Sequence, residues 1–324
     1  MIVVMQEGAT EDQVQAVIDR MVEMDFTIHR STGMVHIVLG GVGPEERVNP
    51  ADFEEMEGVQ ECRRIMSPFK LASRHFKPGG SVVRVGGSEI GGPRLWLCAG
   101  LTGASAARMG ATVAALAEAG ANAIRLRTPP RAHDDVLPAA RQAATASKVS
   151  LIVEVADTSE IALADWYADM LEVPGRSMLQ RGLLTELGRL SKPILLERSN
   201  AAKIEEVLIA AEAILTGGNF NVVLCESGIR TFVTAHNTMD LAAIPVAKKY
   251  THLPIVADPC AGTGRRGMAI AMAKAAVAAG CDGLVLDVQA GGEPPANAQS
   301  LTLEQLTVLI RQLTRIAEAV DRKI

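Results

Sequence analysis

From residue 95 onward, short runs of mostly apolar residues alternate with longer stretches whose apolar positions recur every three or four residues. The short runs, at 95–99, 123–127, 151–155, 170–173, 194–198, 222–226, 255–258 and 284–288, show little polar alternation. That is the pattern of parallel strands covered on both faces. Helical stretches at 106–119, 201–215, 267–279 and 303–320 lie between or after them. Eight strand–helix units over 95–324 predict an α/β fold, a (β/α)8 TIM barrel, with an open, doubly wound sheet as the alternative.

The first 70 residues follow a different pattern. An apolar run at 1–5 leads to Thr10, placed to cap a helix through Met24, with Gln13 closing a capping box. Val14, Val17, Ile18, Met21 and Val22 then share one helical face. Strand-like runs at 27–29 and 34–39, a short helix at 50–56 and a strand at 59–65 complete a βαββαβ order, that of a small ferredoxin-like α+β domain. Its expected use is either packing and oligomerisation or ligand-dependent regulation. Six glycines between 77 and 94 surround a short strand or hairpin at 81–85, a linker pattern. The expected division is therefore 1–70 (ferredoxin-like), 71–94 (glycine-rich linker) and 95–324 (barrel).

Thirty-two Lys and Arg stand against 37 Asp and Glu, a net charge of −5 without long like-charge runs. No nucleic-acid or membrane partner is expected from that balance. No apolar stretch has the length of a transmembrane helix, and Glu7, Glu11 and Asp12 interrupt the region where a signal peptide needs an apolar core. A cytoplasmic protein is expected. The five cysteines, at 62, 98, 225, 260 and 281, include no Cys-x-x-Cys pair, which argues against a disulfide framework or a structural zinc.

A (β/α)8 barrel places its ligand at the carboxyl ends of its strands. Six of the expected strands end on or beside a carboxylate: Glu154, Glu172, Glu197, Glu226, Asp258 and Asp287. Arginines follow closely at Arg125, Arg127, Arg176, Arg198, Arg230, Arg265 and Arg266. Ions left unpaired in a barrel mouth are costly to desolvate. The clustering therefore implies either mutual pairing that holds the loops or a polar pocket for a small anionic or polyhydroxylated ligand. In Asp258-Pro-Cys-Ala-Gly-Thr-Gly-Arg-Arg266 the glycines permit a tight turn whose N–H groups would face an oxyanion at a helix start. Cys98, Cys225 and Cys260 have no histidine beside them in sequence, so structural thiols are expected. His133 and His236 fall near the expected mouth without metal-ligand spacing.

Several of these strings also carry a resemblance. Phe69-Lys-Leu-Ala-Ser-Arg74, Cys225-Glu-Ser-Gly-Ile-Arg-Thr-Phe232, Asn237-Thr-Met-Asp240, His252-Leu-Pro254, Asp258-Pro and Gly264-Arg-Arg266 occur in an order that resembles the 3-deoxy-D-arabino-heptulosonate 7-phosphate (DAHP) synthases. The likeness is to the short type with an N-terminal ferredoxin-like domain and covers nearly the whole chain. It implies a (β/α)8 barrel, commonly tetrameric, that joins phosphoenolpyruvate to erythrose 4-phosphate at a divalent metal and opens the shikimate pathway. It also implies a metal that polarises the aldehyde, and Lys and Arg side chains that hold the phosphate and carboxylate of phosphoenolpyruvate.

Position by position, the resemblance implies a divergent member. The family's metal-binding Cys falls at Thr102, its metal-binding His at Ala261 and its Glu ligand at Asp287, while its last Asp ligand falls at about Ala296, next to Asn297. The Lys of its Lys-Arg-Gly segment falls at Glu197, and Glu-Arg-Gly reads Glu226-Ser227-Gly228. The loop holding Lys-Pro-Arg-Thr in the family is shorter, reading Arg125-Leu-Arg-Thr-Pro-Pro130, whereas Arg176, Arg230 and Arg265-Arg266 match family arginines.

Three readings follow. The first is an enzyme acting on a phosphorylated sugar or oxo-acid through rewritten metal and phosphoenolpyruvate subsites. Glu197, Glu226 and Asp287 are its candidate acid–base groups, with Glu197 or Glu226 expected near Arg176 and Arg198. Arg125, Arg127, Thr128, Arg176, Arg198, Arg230, Asp258, Arg265 and Arg266 are its candidate substrate contacts. The second is a non-catalytic, metabolite-binding or regulatory relative. The third is a working DAHP synthase with a displaced metal site built from Cys260, Asp287 and Glu226. No cofactor is assigned; a divalent metal would have Cys260 and Asp287 as its remaining candidates. A small phosphorylated metabolite is the expected partner, and a dimer or tetramer the expected assembly.

Overall fold

The computed structural model describes the chain apart from residues 33–35, 44–48, 64–67, 102–104, 128–132, 233–236 and 290–297 and the side chains of 133 and 134. It divides into two compact units, Met1–Ser81 with Lys249–His252, and Val82–Lys248 with Leu253–Ile324. The division falls inside the glycine-rich segment: residues 71–81 go with the first unit and 82–94 with the second.

The first unit runs β1 (Ile2–Met5), α1 (Glu11–Glu23), β2 (Thr27–Thr32), β3 (Ile37–Val42), α2 (Ala51–Glu54) and β4 (Val59–Arg63). Its antiparallel sheet has the order β2-β3-β1-β4, the ferredoxin-like arrangement. The capping box forms: the Gln13 N–H donates to Thr10 Oγ1 at 3.3 Å and the Thr10 N–H to Gln13 Oε1 at 3.0 Å. Val14, Val17 and Met21 are buried with Val3, Met5, Leu39, Phe53 and Val59. Val22, expected on the same face, is exposed because it falls at the margin of the apolar stripe, about 100° round the helix from Met21.

Within this unit His252 is a buried clamp. Its Nε2 lies 2.6 Å from the Leu71 carbonyl oxygen and its Nδ1 2.8 Å from Ser81 Oγ. Burial lowers its pKa to about 4, against about 6.5 in an unfolded chain. The folded form therefore prefers the neutral ring. Its contribution is complete above about pH 6.5 and is lost as the pH falls toward 4, a span of roughly 3 kcal/mol. The thermal midpoint should fall over that window, and His252→Gln should remove this part of the fall while other acid-sensitive losses remain; calorimetry from pH 7 to pH 4 reads the difference.

The second unit opens with an antiparallel hairpin, β5 (Val83–Val85) and β6 (Ser88–Ile90). The repeats follow: β7 (Trp96–Leu101), α3 (Met109–Glu118), β8 (Ala123–Leu126), α4 (His133–Ser147), β9 (Ser150–Glu154), α5 (Ile161–Tyr167), β10 (Met170–Val173) and α6 (Arg181–Gly188). Then come β11 (Ile194–Glu197), α7 (Ile204–Thr216), β12 (Val222–Glu226), α8 (Ala243–Tyr250), β13 (Ile255–Ala257), α9 (Pro259–Thr263), α10 (Arg266–Ala278) and β14 (Gly283–Gln289). A short β15 (Leu301–Thr302) and α11 (Leu303–Ala319) end the unit.

Strands β7 to β14 pair in sequence order, all parallel, and β14 closes on β7. The sheet is thus a closed barrel rather than the open alternative. Alternate strand residues fill its interior, among them Trp96, Cys98, Ile152, Met170, Leu195, Val223, Cys225 and Val285. Val83, Val85 and Ile90 of the hairpin join that core. Ser150 Oγ, at the start of β9, donates to the Val85 carbonyl at 2.9 Å, so the hairpin closes the amino-terminal end of the barrel and leaves the other end for chemistry. Among the described residues no helix is long and apolar enough to cross a membrane.

Candidate active site

Side chains two residues apart on a strand point to the same face, so Arg125, on β8, and Arg127, just past its end, both reach toward the barrel axis. Arg125 is fully buried. Its Nη1 donates to Asp258 Oδ2 at 2.8 Å and Glu172 Oε1 at 3.2 Å, and its Nη2 to Asp287 Oδ1 at 2.7 Å. One layer nearer the mouth, Arg127 Nη2 donates to Glu172 Oε1 and Glu197 Oε1, each at 3.2 Å, while its Nε lies 3.4 Å from Glu154 Oε2. Arg176 holds the other oxygen of Glu154. Gly100 on β7 leaves room for this lattice: a Cβ there would sit 2.3 Å from Asp287 Oδ1.

Five carboxylates thus share two inward guanidinium groups, and the imbalance shows in their proton affinities. Burial pushes Glu197 up, more than Arg127 pulls it down, with Glu172 and Asp258 adding to the rise. Burial likewise raises Asp258 against the pull of Arg125. At Asp287 burial is outweighed by Arg125 and Arg127, which hold the carboxyl below its ordinary range.

A second cluster lies apart from the axis. Arg198 follows Glu197 and so points to the opposite face of β11. Its Nη1 donates to Glu226 Oε2 at 2.7 Å and Asp240 Oδ2 at 3.1 Å, and its Nε to the Ala202 carbonyl at 2.9 Å. Glu226 Oε1 accepts the Gly228 N–H at 2.8 Å, and burial raises its pKa despite Arg198. Of the two carboxylates expected near Arg176 and Arg198, Glu226 does meet Arg198, whereas the expectation for Glu197 is corrected. Glu197 pairs with Arg127 and accepts the Gly175 N–H at 2.9 Å, whereas Arg176 and Arg198 bind other carboxylates.

The Gly-Thr-Gly segment departs from expectation as well. Asp258 caps α9, accepting the Ala261 N–H at 2.9 Å. The Gly262 N–H donates to the Asp258 carbonyl and the Gly264 N–H to the Cys260 carbonyl, both at 2.9 Å, and the Arg266 N–H to the Ala298 carbonyl at 3.2 Å. The two glycine amides close the α9 turn and the Arg266 amide is taken by Ala298, so none of the three faces an oxyanion. Asp258 at the cap, Pro259 at the first position and Gly264 in a left-handed conformation form the usual start and stop of a short helix. Arg266 Nε is taken by the Ser300 carbonyl. Arg265 and Arg230 are exposed and make no ion pair among the described residues. Thr128, Thr102, His236, Ala296 and Asn297 lie outside the described residues, as does the side chain of His133.

The described residues do not fit the divalent metal that the family resemblance implies. Asp287 presents Oδ1 to Arg125 and Oδ2 to Gln299 Nε2 at 2.9 Å. Asp258 is held by Arg125 and Ala261. Cys260 is a fully buried thiol pushed up by burial and by Asp258 and Asp287, which opposes the thiolate a metal needs. No group of three or more His, Cys, Asp and Glu among the described residues is arranged to hold a metal ion.

Residues 131–322 match the DAHP synthetase I family, and residues 1–67 match the DAHP synthase ferredoxin-like domain. A phospho-2-dehydro-3-deoxyheptonate aldolase of Thermotoga maritima is 32% identical over the whole of both chains. The chain belongs to the DAHP synthase family. The crystal structure of the Thermotoga maritima DAHP synthase superposes with a TM-score of 0.75 at 31% identity, covering 99% of this chain and 98% of that one. A 2-dehydro-3-deoxyphosphooctonate aldolase of Desulfosudis oleivorans is 27% identical over 53% of this chain and 66% of its own. Membership of the DAHP synthase family makes this a carbon–carbon bond-forming enzyme, and its closed barrel sets the ion lattice at the carboxyl ends of the strands, the catalytic end of such folds.

Gln299 carries no sequence signal of its own, and Asp240 has one only as the end of the resemblance string Asn237-Thr-Met-Asp240, which does not say what it binds. Both belong to segments between named elements, where neither strand nor helix periodicity applies, and only the fold brings them to Arg198 and Asp287.

Proposed function

We propose that this DAHP-synthase-like enzyme acts on a phosphorylated sugar or oxo-acid through metal and phosphoenolpyruvate subsites rewritten relative to its family. The observation that carries the reading is the division of the cations. Arg125, Arg127 and Arg198 are committed to carboxylates, whereas Arg230 and Arg265 stand exposed after β12 and after α9 without an ion pair among the described residues. A phosphate is therefore held at the rim by Arg230 and Arg265, and the carboxylate-rich interior handles the uncharged, hydroxylated part. Glu197, raised by burial, supplies and takes back a proton there.

A working condensation of phosphoenolpyruvate with erythrose 4-phosphate is the second reading. The full-length likeness to the Thermotoga maritima enzyme favours it, as does the acidic excess of the lattice, which a bound cation would offset.

Thermal unfolding with erythrose 4-phosphate, inorganic phosphate, phosphoenolpyruvate and manganese added separately, followed by a condensation assay, divides the two. The first reading expects stabilisation by the sugar phosphate and by phosphate, lost in Arg230→Ala/Arg265→Ala, and no condensation product. Stabilisation by manganese and phosphoenolpyruvate, with product that a chelator abolishes, would establish the second instead.

A further inference from the structure

The amino-terminal end of the barrel carries a cavity of about 700 Å³, within the size range of small-molecule sites. Its walls include Arg84 on β5, the Gly86-Gly87 turn, Ser88 on β6, Arg94 ahead of β7 and Asn122 ahead of β8, with Trp96 at the base. The two arginines come from different parts of this end: one from the hairpin that closes the barrel, one from the strand leading into its wall. Among the described residues the Arg84 side chain makes no hydrogen bond or ion pair, and the Arg94 side chain makes one bond, from Nη1 to the main-chain oxygen of the last residue, Ile324, at 3.2 Å.

The acidic side chain on this wall, Glu89, stands across the hairpin from Arg84 in register but pairs with neither arginine. Its carboxylate is turned over Gly92, where a Cβ would meet Oε1 at 2.3 Å. Two guanidinium groups with most of their donors open thus face one cavity, and planar donor forks of this kind match phosphate and carboxylate oxygens. The hairpin turn is fixed beside them: Gly86 has φ +55° and a Cβ there would strike Ser150 Oγ at 2.6 Å, while the Cβ position of Gly87 is open.

We propose that this cavity binds a small polyanion bearing phosphate or carboxylate groups, held between Arg84 and Arg94. Such a ligand bridges the hairpin and the barrel wall, and its binding tightens the closure of the barrel at the end opposite the catalytic mouth.

Trp96 reports on the site, since its Nε1 donates to Ser88 Oγ at 3.2 Å on the cavity wall. The chain has two tryptophans, and the second, Trp166, is exposed, so a Trp166→Phe background isolates the signal. The experiment titrates this protein with pyrophosphate and, separately, citrate at constant ionic strength. The expected result is a saturable change in Trp96 fluorescence with at least one probe, and the stronger probe names the ligand class. Arg84→Ala/Arg94→Ala should weaken that affinity at least tenfold without moving the ligand-free thermal midpoint, and Arg230→Ala/Arg265→Ala at the mouth should leave it unchanged. No saturable change with either probe, or a change that survives loss of Arg84 and Arg94, would overturn the proposal.

Discussion

Arg125→Met should destabilise the barrel more than any other single substitution of a charged residue in the lattice. The arginine is fully buried, and Glu172, Asp258 and Asp287 all receive hydrogen bonds from it. Methionine keeps much of the volume but leaves buried carboxylates without their counter-charge, a change that costs about 3–5 kcal/mol for a single broken pair. In a domain of this size that corresponds to a fall of about 10 °C or more in the thermal midpoint. The deficit should depend on pH in a defined direction. Without Arg125 the folded carboxyls bind protons more tightly than in the unfolded chain, so the variant regains stability relative to wild type as the pH falls toward the ordinary carboxylate range and is weakest above it. Arg127→Met, at a partly exposed side chain, should show the same trend with a smaller loss. Circular-dichroism melts at pH 8 and pH 5 test this. A variant within about 3 °C of wild type at pH 8 would mean that the carboxylates are compensated from elsewhere.

The lattice was partly visible in the sequence, and the reason lies in the kind of signal each residue carries. Barrel strands are covered on both faces and read as unbroken apolar runs, so a carboxylate that ends such a run stands out; this made Glu154, Glu172, Glu197, Glu226, Asp258 and Asp287 conspicuous. Which arginine meets which carboxylate is a matter of strand parity and barrel closure, and it emerges only once β14 is known to pair with β7. Parity alone would have separated Arg198 from Glu197, because neighbouring residues on a strand face opposite ways. The α9 turn departs from its local pattern for a different reason. Gly262, Thr263 and Gly264 suggest a loop, but Asp258-Pro259 ahead of them and Gly264 at the end are the start and stop of a helical turn, and the amides are consumed within it. Ferredoxin-like order was legible because Thr10 and Gln13 mark the helix start directly, whereas the unit boundary at Ser81 depends on packing that no local pattern encodes.

Glu197 offers the sharpest test of whether the site has moved from its family. The resemblance puts a lysine at this position, among the cations that hold phosphoenolpyruvate, and here it is a carboxylate bonded to Arg127 and to the Gly175 N–H. Restoring the lysine changes the local charge by two units. Each unit is worth about 4 kcal/mol at 4 Å with an effective dielectric of 20, less whatever solvent screens in the open mouth, so a gain of at least about 100-fold in phosphoenolpyruvate affinity is expected for Glu197→Lys, roughly 2.7 kcal/mol. Glu197→Gln removes one unit, retains an oxygen for the Gly175 N–H and should fall between the two. Isothermal titration of wild type and both variants gives the order: weakest in wild type, intermediate in the glutamine variant, strongest in the lysine variant. If wild type already binds phosphoenolpyruvate tightly and the lysine weakens it, the carboxylate is part of an intact subsite and the reading of rewritten chemistry fails. If the predicted order appears, the acidic interior is what excludes phosphoenolpyruvate, and the substrate that replaces it must reach Glu197 with a part that carries no phosphate.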